Sequence, residues 1–110
     1  MKIDSMPIYI SEKVKAKLAE KHGVTPEEVT QCFENLEGGF IEDTSLEHVS
    51  EPPTYWFVSE TNKRRRLKVC FIHREFVDDS GKTIKRTSIR SAFDANEKAI
   101  ATYERLGFER

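Results

Sequence analysis

The stretch over residues 66–93 constrains the fold of this chain most, because it reads as two strands joined by a tight turn. Residues 67–75 are rich in β-branched and aromatic side chains and are apolar on both faces at their centre, which is typical of an inner strand. The turn signal Asp-Asp-Ser-Gly at residues 78–81 ends in a glycine that can adopt positive φ. Residues 83–92 then complete a predicted β-hairpin.

Charge is distributed unevenly along the chain. Residues 1–62 carry 5 basic and 12 acidic side chains, residues 63–90 carry 10 and 3, and residues 91–110 carry 3 and 4. The formal net charge of −1 therefore hides a basic segment that coincides with the hairpin. This uneven distribution of charge is informative about binding partners and not about the fold. It favours a surface that binds a polyanion over a basic surface that is only solvated.

Two helices precede the hairpin. Ser11 is an N-cap candidate for a helix over residues 12–22, and Gly23 suits the left-handed position that ends it. Thr-Pro-Glu-Glu at residues 25–28 forms a capping box that opens a second helix, predicted over residues 26–36. The side chains expected to be buried between these helices and the sheet are Leu18, Val29, Phe33 and Leu36 with Val69 and Phe71.

The remaining segments complete an α+β pattern. Residues 7–10 predict an edge strand, residues 40–43 a short strand, and residues 54–61 a strand by residue type, while the polar stretch 44–53 is interpreted as a loop. A capping box at residues 94–97 opens a last helix. We therefore expect a small antiparallel β-meander packed with two N-terminal helices and one C-terminal helix.

The length of 110 residues corresponds to one domain spanning residues 1–110. No apolar run is long enough for a membrane span and no signal peptide opens the chain. Cys32 and Cys70 lie in helix-like and strand-like patterns, which favours buried reduced thiols and a cytoplasmic protein. The histidines at positions 22, 48 and 73 have no paired spacing, so neither a metal nor a cofactor is expected.

Three stretches resemble the BrnT family of toxins from type II toxin–antitoxin systems. They are KHGVTPEEV at residues 21–29, RLKVCF at residues 66–71, and Ser91-Ala92 before the last helix. The resemblance covers residues 8 to about 105. It implies a fold similar to RelE and ParE toxins, a ribonuclease activity that arrests translation, and a DNA-binding antitoxin as partner.

The chain departs from this family after Ser91-Ala92, where BrnT toxins typically carry a basic residue and this chain has Phe93. Residues 91–96 instead resemble a BrnT-like subgroup whose members are sometimes catalogued as ADP-ribosyl-(dinitrogen reductase) hydrolases. Those hydrolases resemble a larger all-helical, metal-dependent fold with clustered aspartates, whereas the adjacent aspartates here, Asp78 and Asp79, lie in a turn. Two functions stay open: a metal-independent ribonuclease toxin, or a non-catalytic module that binds nucleic acid or protein, which Phe93 favours.

Cleavage of RNA by its 2′-hydroxyl requires a base, an acid and a cation beside the phosphate. His73 is a candidate acid or base, and packing against Phe71 is its alternative role. Arg66 and Arg90 are candidate phosphate clamps, because a guanidinium offers a planar fork of donors. Secondary candidates are Glu60 and Tyr103. His22 is interpreted as structural, because a cation suits the end of a helix.

The other basic side chains of the segment are candidate RNA contacts: Lys63, Arg64, Arg65, Lys68, Lys85 and Arg86. One strand register places Arg90 beside His73, and another places it nearer Lys68 and Arg66. The sequence does not fix this register. We expect the antitoxin to cover the same basic surface with acidic side chains.

Overall fold

The computed structural model describes residues 7–44 and 53–108 and has the expected α+β architecture. Its five-stranded sheet has the order β1-β5-β4-β3-β2. The strands are β1 (Ile8–Tyr9), β2 (Ile41–Glu42), β3 (Thr54–Glu60), β4 (Arg66–Val77) and β5 (Thr83–Asp94). The helices are α1, which is α-helical over Glu12–Lys17 and π-helical over Leu18–His22, then α2 (Pro26–Glu34) and α3 (Glu97–Leu106). Most of the predicted loop at residues 44–53, with His48, lies outside the described residues.

The antiparallel meander of β3, β4 and β5 is confirmed, but the whole sheet is mixed. β1 pairs with β5 in parallel, with Ile8 opposite Thr87 and Tyr9 opposite Ser88. A parallel connection needs a long crossover, and the helices supply it between β1 and the rest of the sheet. β2 continues the other edge in the antiparallel sense, with Ile41 opposite Trp56.

The register of the central hairpin contains one irregularity. Cys70 lies opposite Ser91, whereas the next residue, Phe71, lies opposite Ile89. One extra residue, Arg90, is therefore accommodated in β5 as a β-bulge. Bulges of this kind redirect a side chain and increase the local twist. The sequence pattern of β5 gives no indication of it.

The core lies between the sheet and the two N-terminal helices. Phe33 of α2 stacks edge-on against Phe57 and Phe71, with ring centroids 4.8 and 5.6 Å apart. Leu18, Val29 and all but one of the other predicted core residues are buried. Leu36 is only half-buried, because α2 ends at Glu34 instead of residue 36.

The first two helices begin at their predicted caps, whereas the capping box predicted at residues 94–97 is wrong, because Asp94 ends β5 and Asn96 caps α3. The Ser11 hydroxyl accepts from the Val14 amide, and Thr25 and Glu28 form the reciprocal capping box. Gly23 adopts a left-handed conformation with φ of 61°. The last five residues of α1 form a π-helix, which was not predicted from the sequence. α3 covers the opposite face of the sheet, where Tyr103 lies 6.1 Å from the Trp56 ring.

Candidate nucleic-acid interface

The alternation of side chains along β4 places its cations together. Val69 and Phe71 point into the core on the α1–α2 side, so the even-numbered residues point to the other face of the sheet. Their cross-strand partners share that face. We define the basic face by the cations of β4 and β5 that lie on it or at the bulge: Arg66, Lys68, Arg74, Arg86 and Arg90.

Cys70 lies beside the bulge, where the charges of three cations influence the pKa of its thiol. Burial raises the pKa of Cys70, while the charges of Lys68, Lys17 and Arg90 act in the opposite direction. Lys17 reaches the bulge from α1, where its Nζ donates a hydrogen bond of 3.0 Å to the carbonyl oxygen of Arg90. Sequence patterns do not connect Lys17 with β5, because 73 residues separate it from Arg90. Among the described residues, the carboxylate of Asp43 acts on the same thiol in the direction of burial.

Lys68 is held over two aromatic rings. Its Nζ lies 4.5 Å from the Trp56 ring centroid and 5.9 Å from that of Phe93. Such cation–π contacts fix a lysine without neutralising its charge. Phe93 lies directly opposite Lys68 in the register. Position 93 is where the resemblance to BrnT toxins implies a basic residue. Lys68 therefore supplies a positive charge directly beside that position.

A second concentration of charge lies farther along the hairpin. Arg74 and Arg86 lie directly opposite each other on β4 and β5, and the guanidinium carbon of Arg86 stacks 3.7 Å from the Tyr9 ring centroid. Like charges in direct cross-strand pairs destabilise a sheet.

The other predicted RNA contacts are more scattered. Lys63 and Arg64 are exposed in the β3–β4 turn, where Arg64 has a left-handed φ of 69°. Arg66 pairs with Glu60 at 3.2 Å. Lys85 lies 3.9 Å from Glu75, which places it on the other side of the hairpin from Arg86.

Arg65 differs from its neighbours because its guanidinium is engaged within the protein. It donates to both carboxylate oxygens of Asp94, at 2.8 and 3.1 Å. It also donates to the carbonyls of His22 and Gly23 and lies 3.4 Å from Glu28. The hydrogen bond with Asp94 raises the pKa of Arg65 and lowers that of Asp94. This geometry is that of a structural clamp.

His73 lies apart from the basic face. Seven residues of strand separate it from Arg66, or about 23 Å, and the odd spacing puts it on the opposite face. Its ring lies 5.2 Å from Phe71 and 5.7 Å from Tyr55, and Nδ1 is 3.3 Å from the Thr87 hydroxyl. Desolvation lowers its pKa. The register pairs His73 with Thr87 and Lys68 with Phe93. Arg90, in the bulge, lies three residues along β5 from each of these partners, so the register brings it no nearer to one than to the other.

The two secondary catalytic candidates, Tyr103 and Glu60, differ in burial and in their partners. Tyr103 is buried, and its hydroxyl donates to the carbonyl of Gly39 at 2.8 Å. Burial raises its pKa to about 12, so Tyr103 is a packing residue. Glu60, in contrast, is partly exposed beside Arg66 and is a diagonal neighbour of Lys68 on the same face. The carboxylate of Glu60 therefore lies on the same face of the sheet as Arg66 and Lys68, on the neighbouring strand.

Across residues 7–44 and 53–108, no group of three or more histidine, cysteine or acidic side chains is arranged to hold a metal ion. None of the helices in this part of the chain is long and apolar enough to cross a membrane. No protein-family model matches the sequence, and no curated protein is similar enough to count as a relative.

Proposed function

We propose that this protein is the toxin of a type II toxin–antitoxin pair and acts on RNA in the cytoplasm through the basic face. The observation that carries the proposal is the series of cations on one face of β4 and β5, with Lys68 held over Trp56 and with Lys17 bonded to the main chain of Arg90 at the bulge. Cations gathered at one place on a sheet supply the electrostatic attraction that dominates nucleic-acid binding. The BrnT-like resemblance supplies the expectation that the anion is RNA.

The proposed chemistry is metal-independent cleavage at a phosphate held on this face. Lys68 and Arg90 stabilise the charge that develops on the phosphate oxygens. Glu60, next to Arg66, removes the proton from the attacking 2′-hydroxyl. The new bond between the 2′-oxygen and phosphorus replaces the bond to the 5′-oxygen, which leaves with a proton taken from water, and a 2′,3′-cyclic phosphate remains. His73 has no part in this arrangement because it lies on the other face. An antitoxin with acidic side chains would inhibit by covering Lys68 and Arg90.

A second candidate function, a non-catalytic RNA- or protein-binding module, is favoured by one specific observation. The carboxylate of Glu60 is already paired with Arg66 at 3.2 Å, so this oxygen is occupied and does not face an incoming 2′-hydroxyl. Binding by Lys68 and Arg90 does not depend on Glu60. The two functions therefore differ in whether Glu60 matters.

The test combines cleavage and binding of a labelled single-stranded RNA by the purified full-length chain in the presence of EDTA. We expect cleavage by the wild type. Glu60→Gln should lower the rate about a hundredfold, the size of a lost general base, with RNA affinity retained. Lys68→Gln should weaken affinity, while Lys98→Gln on the exposed surface of α3 should change neither property.

Expression in cells without the partner gives a second readout. Growth arrest by the wild type that Arg90→Ala relieves and Cys70→Ser does not would support the toxin. Binding without cleavage or growth arrest would support the second function. Absence of RNA binding would contradict the toxin and would leave only the protein-binding form of the second function.

A further inference from the structure

A groove with a volume of about 880 Å³ lies between the end of α2, one edge of β3 and α3. It is lined by four carboxylates and two guanidinium groups: Glu34, Glu37, Glu60, Glu104, Arg64 and Arg66. Because Glu60 and Arg66 pair with each other, three carboxylates face the single charge of Arg64. The groove therefore carries a net negative charge, and it borders the basic face, with which it shares Arg66.

The end of α2 makes this groove still more favourable to a cation. Glu34 is the last residue of the helix and Glu37 follows shortly after it, while the last turn contains no basic residue. A helix C-terminus carries a partial negative charge, so carboxylates there are unfavourable. Such a departure from the usual pattern is expected where a ligand compensates for it.

The edge of β3 supplies main-chain groups to the groove. The Asp43 amide donates to the Thr54 carbonyl, so the main-chain groups of the even-numbered β3 residues point to this edge. β2 pairs only as far as Trp56, and the side-chain amide of Asn35 donates a hydrogen bond to the carbonyl of Glu60. Val58 lies between Trp56 and Glu60, and within the described residues no strand covers it. An uncovered strand edge is a template for a further strand.

The α3 side of the groove is apolar. Ile100 and Phe108 line it, and the Phe108 ring is 50% exposed although it packs edge-on against Tyr103 at 5.6 Å. On the strand side, the hydroxyl of Ser59 is buried and has no hydrogen-bond partner among the described residues. The groove thus combines apolar surface, main-chain groups and negative charge.

We infer that this groove binds an extended segment of a partner protein in which apolar residues alternate with lysine or arginine. The segment pairs with the β3 edge at Val58 as an additional strand. Its main-chain hydrogen bonds provide affinity, and the side chains that alternate along it provide specificity. Its apolar side chains lie on Ile100 and Phe108. Its cations lie beside Glu34, Glu37 and Glu104.

The test uses a synthetic peptide in which lysine and valine alternate, titrated into the ¹⁵N-labelled full-length chain, with calorimetry for the dissociation constant. We expect the amide signals of Val58, Ile100 and Phe108 to shift. The combined change Glu34→Gln, Glu37→Gln and Glu104→Gln should weaken binding about tenfold, the size expected for three partly exposed charge pairs. A peptide with glutamate in place of lysine should not bind.

The matched control is the combined change Glu20→Gln, Glu27→Gln and Glu97→Gln, which removes the same charge from exposed positions outside the groove. An equal loss of affinity in the control, shifts confined to other surfaces, or absence of binding would overturn the inference. RNA affinity measured on the same variants separates this result from the proposed function, because the groove variant should retain it.

Discussion

The guanidinium of Arg65 holds the carboxylate of Asp94 by two parallel hydrogen bonds, Nε to Oδ1 at 2.8 Å and Nη2 to Oδ2 at 3.1 Å. The same group donates to the carbonyls of His22 and Gly23 at the end of α1. One side chain thus joins the start of β4, the end of β5 and the π-helical turn. The adjacent Arg64 is exposed and adopts a strained left-handed conformation.

We expect the two adjacent arginines to respond oppositely to substitution. Arg65→Lys should lower the free energy of unfolding by about 2 kcal/mol, because an ammonium cannot reproduce the fork and leaves two carbonyls without a donor. Arg64→Gly should be neutral or stabilising by up to about 1 kcal/mol, because glycine adopts positive φ without strain. Urea denaturation of both variants checks this, and equal destabilisation would contradict the structural role of Arg65.

The pH dependence of stability should reveal the Arg65–Asp94 pair. The folded pKa of Asp94 lies below its ordinary value of 3.8, so the stabilisation is complete above that value and is lost as the pH falls through the folded pKa. Asp94→Asn should therefore be less stable than the wild type at neutral pH, and the difference should vanish in acid. A difference that does not depend on pH would contradict the ion pair. Denaturant titrations at several pH values provide the measurement.

The two adjacent glycines after α2 should also differ. A Cβ at Gly38 would lie 2.5 Å from the hydroxyl oxygen of Tyr103, whereas at Gly39 the nearest atom, the Gly107 carbonyl oxygen, is 3.5 Å away. Gly38→Ala should cost about 1–3 kcal/mol of unfolding free energy, because Tyr103 is buried and must shift. Gly39→Ala should be tolerated. Thermal unfolding of both variants checks this. Equal destabilisation by the two substitutions would contradict the close contact between position 38 and Tyr103.

The sequence predicted the elements better than their relationships. The Ser11 cap, the capping box at Thr25 and the three central strands followed from local residue chemistry, which acts within one turn or one strand. The bulge at Arg90, the parallel pairing of β1 and the reach of Lys17 depend on long-range packing that no local pattern encodes. Sequence predicted Arg66 as a phosphate clamp and both Arg64 and Arg65 as RNA contacts, whereas in the structure Arg65 pairs with Asp94 and Arg66 with Glu60.

His73 should titrate as a packed residue and not as a catalyst. Desolvation lowers its pKa from the ordinary value of 6.5, so stability should fall as the pH drops through 6.5 towards the folded pKa. NMR titration of the ring should give a pKa below 6.5. His73→Gln should leave RNA affinity and cleavage unchanged. Loss of cleavage in a folded His73→Gln chain would return this residue to the catalytic site.

The basic face is tested most directly by the salt dependence of RNA affinity. For single-stranded RNA, each phosphate contact contributes about 0.7 to the slope of log affinity against log salt concentration. Combining Lys68→Gln with Arg90→Gln should therefore reduce the slope by about 1.4. The control pair, Lys13→Gln with Lys98→Gln, should leave it unchanged. An unchanged slope in the Lys68 and Arg90 variant, or an equal reduction in the control, would contradict RNA binding by this face.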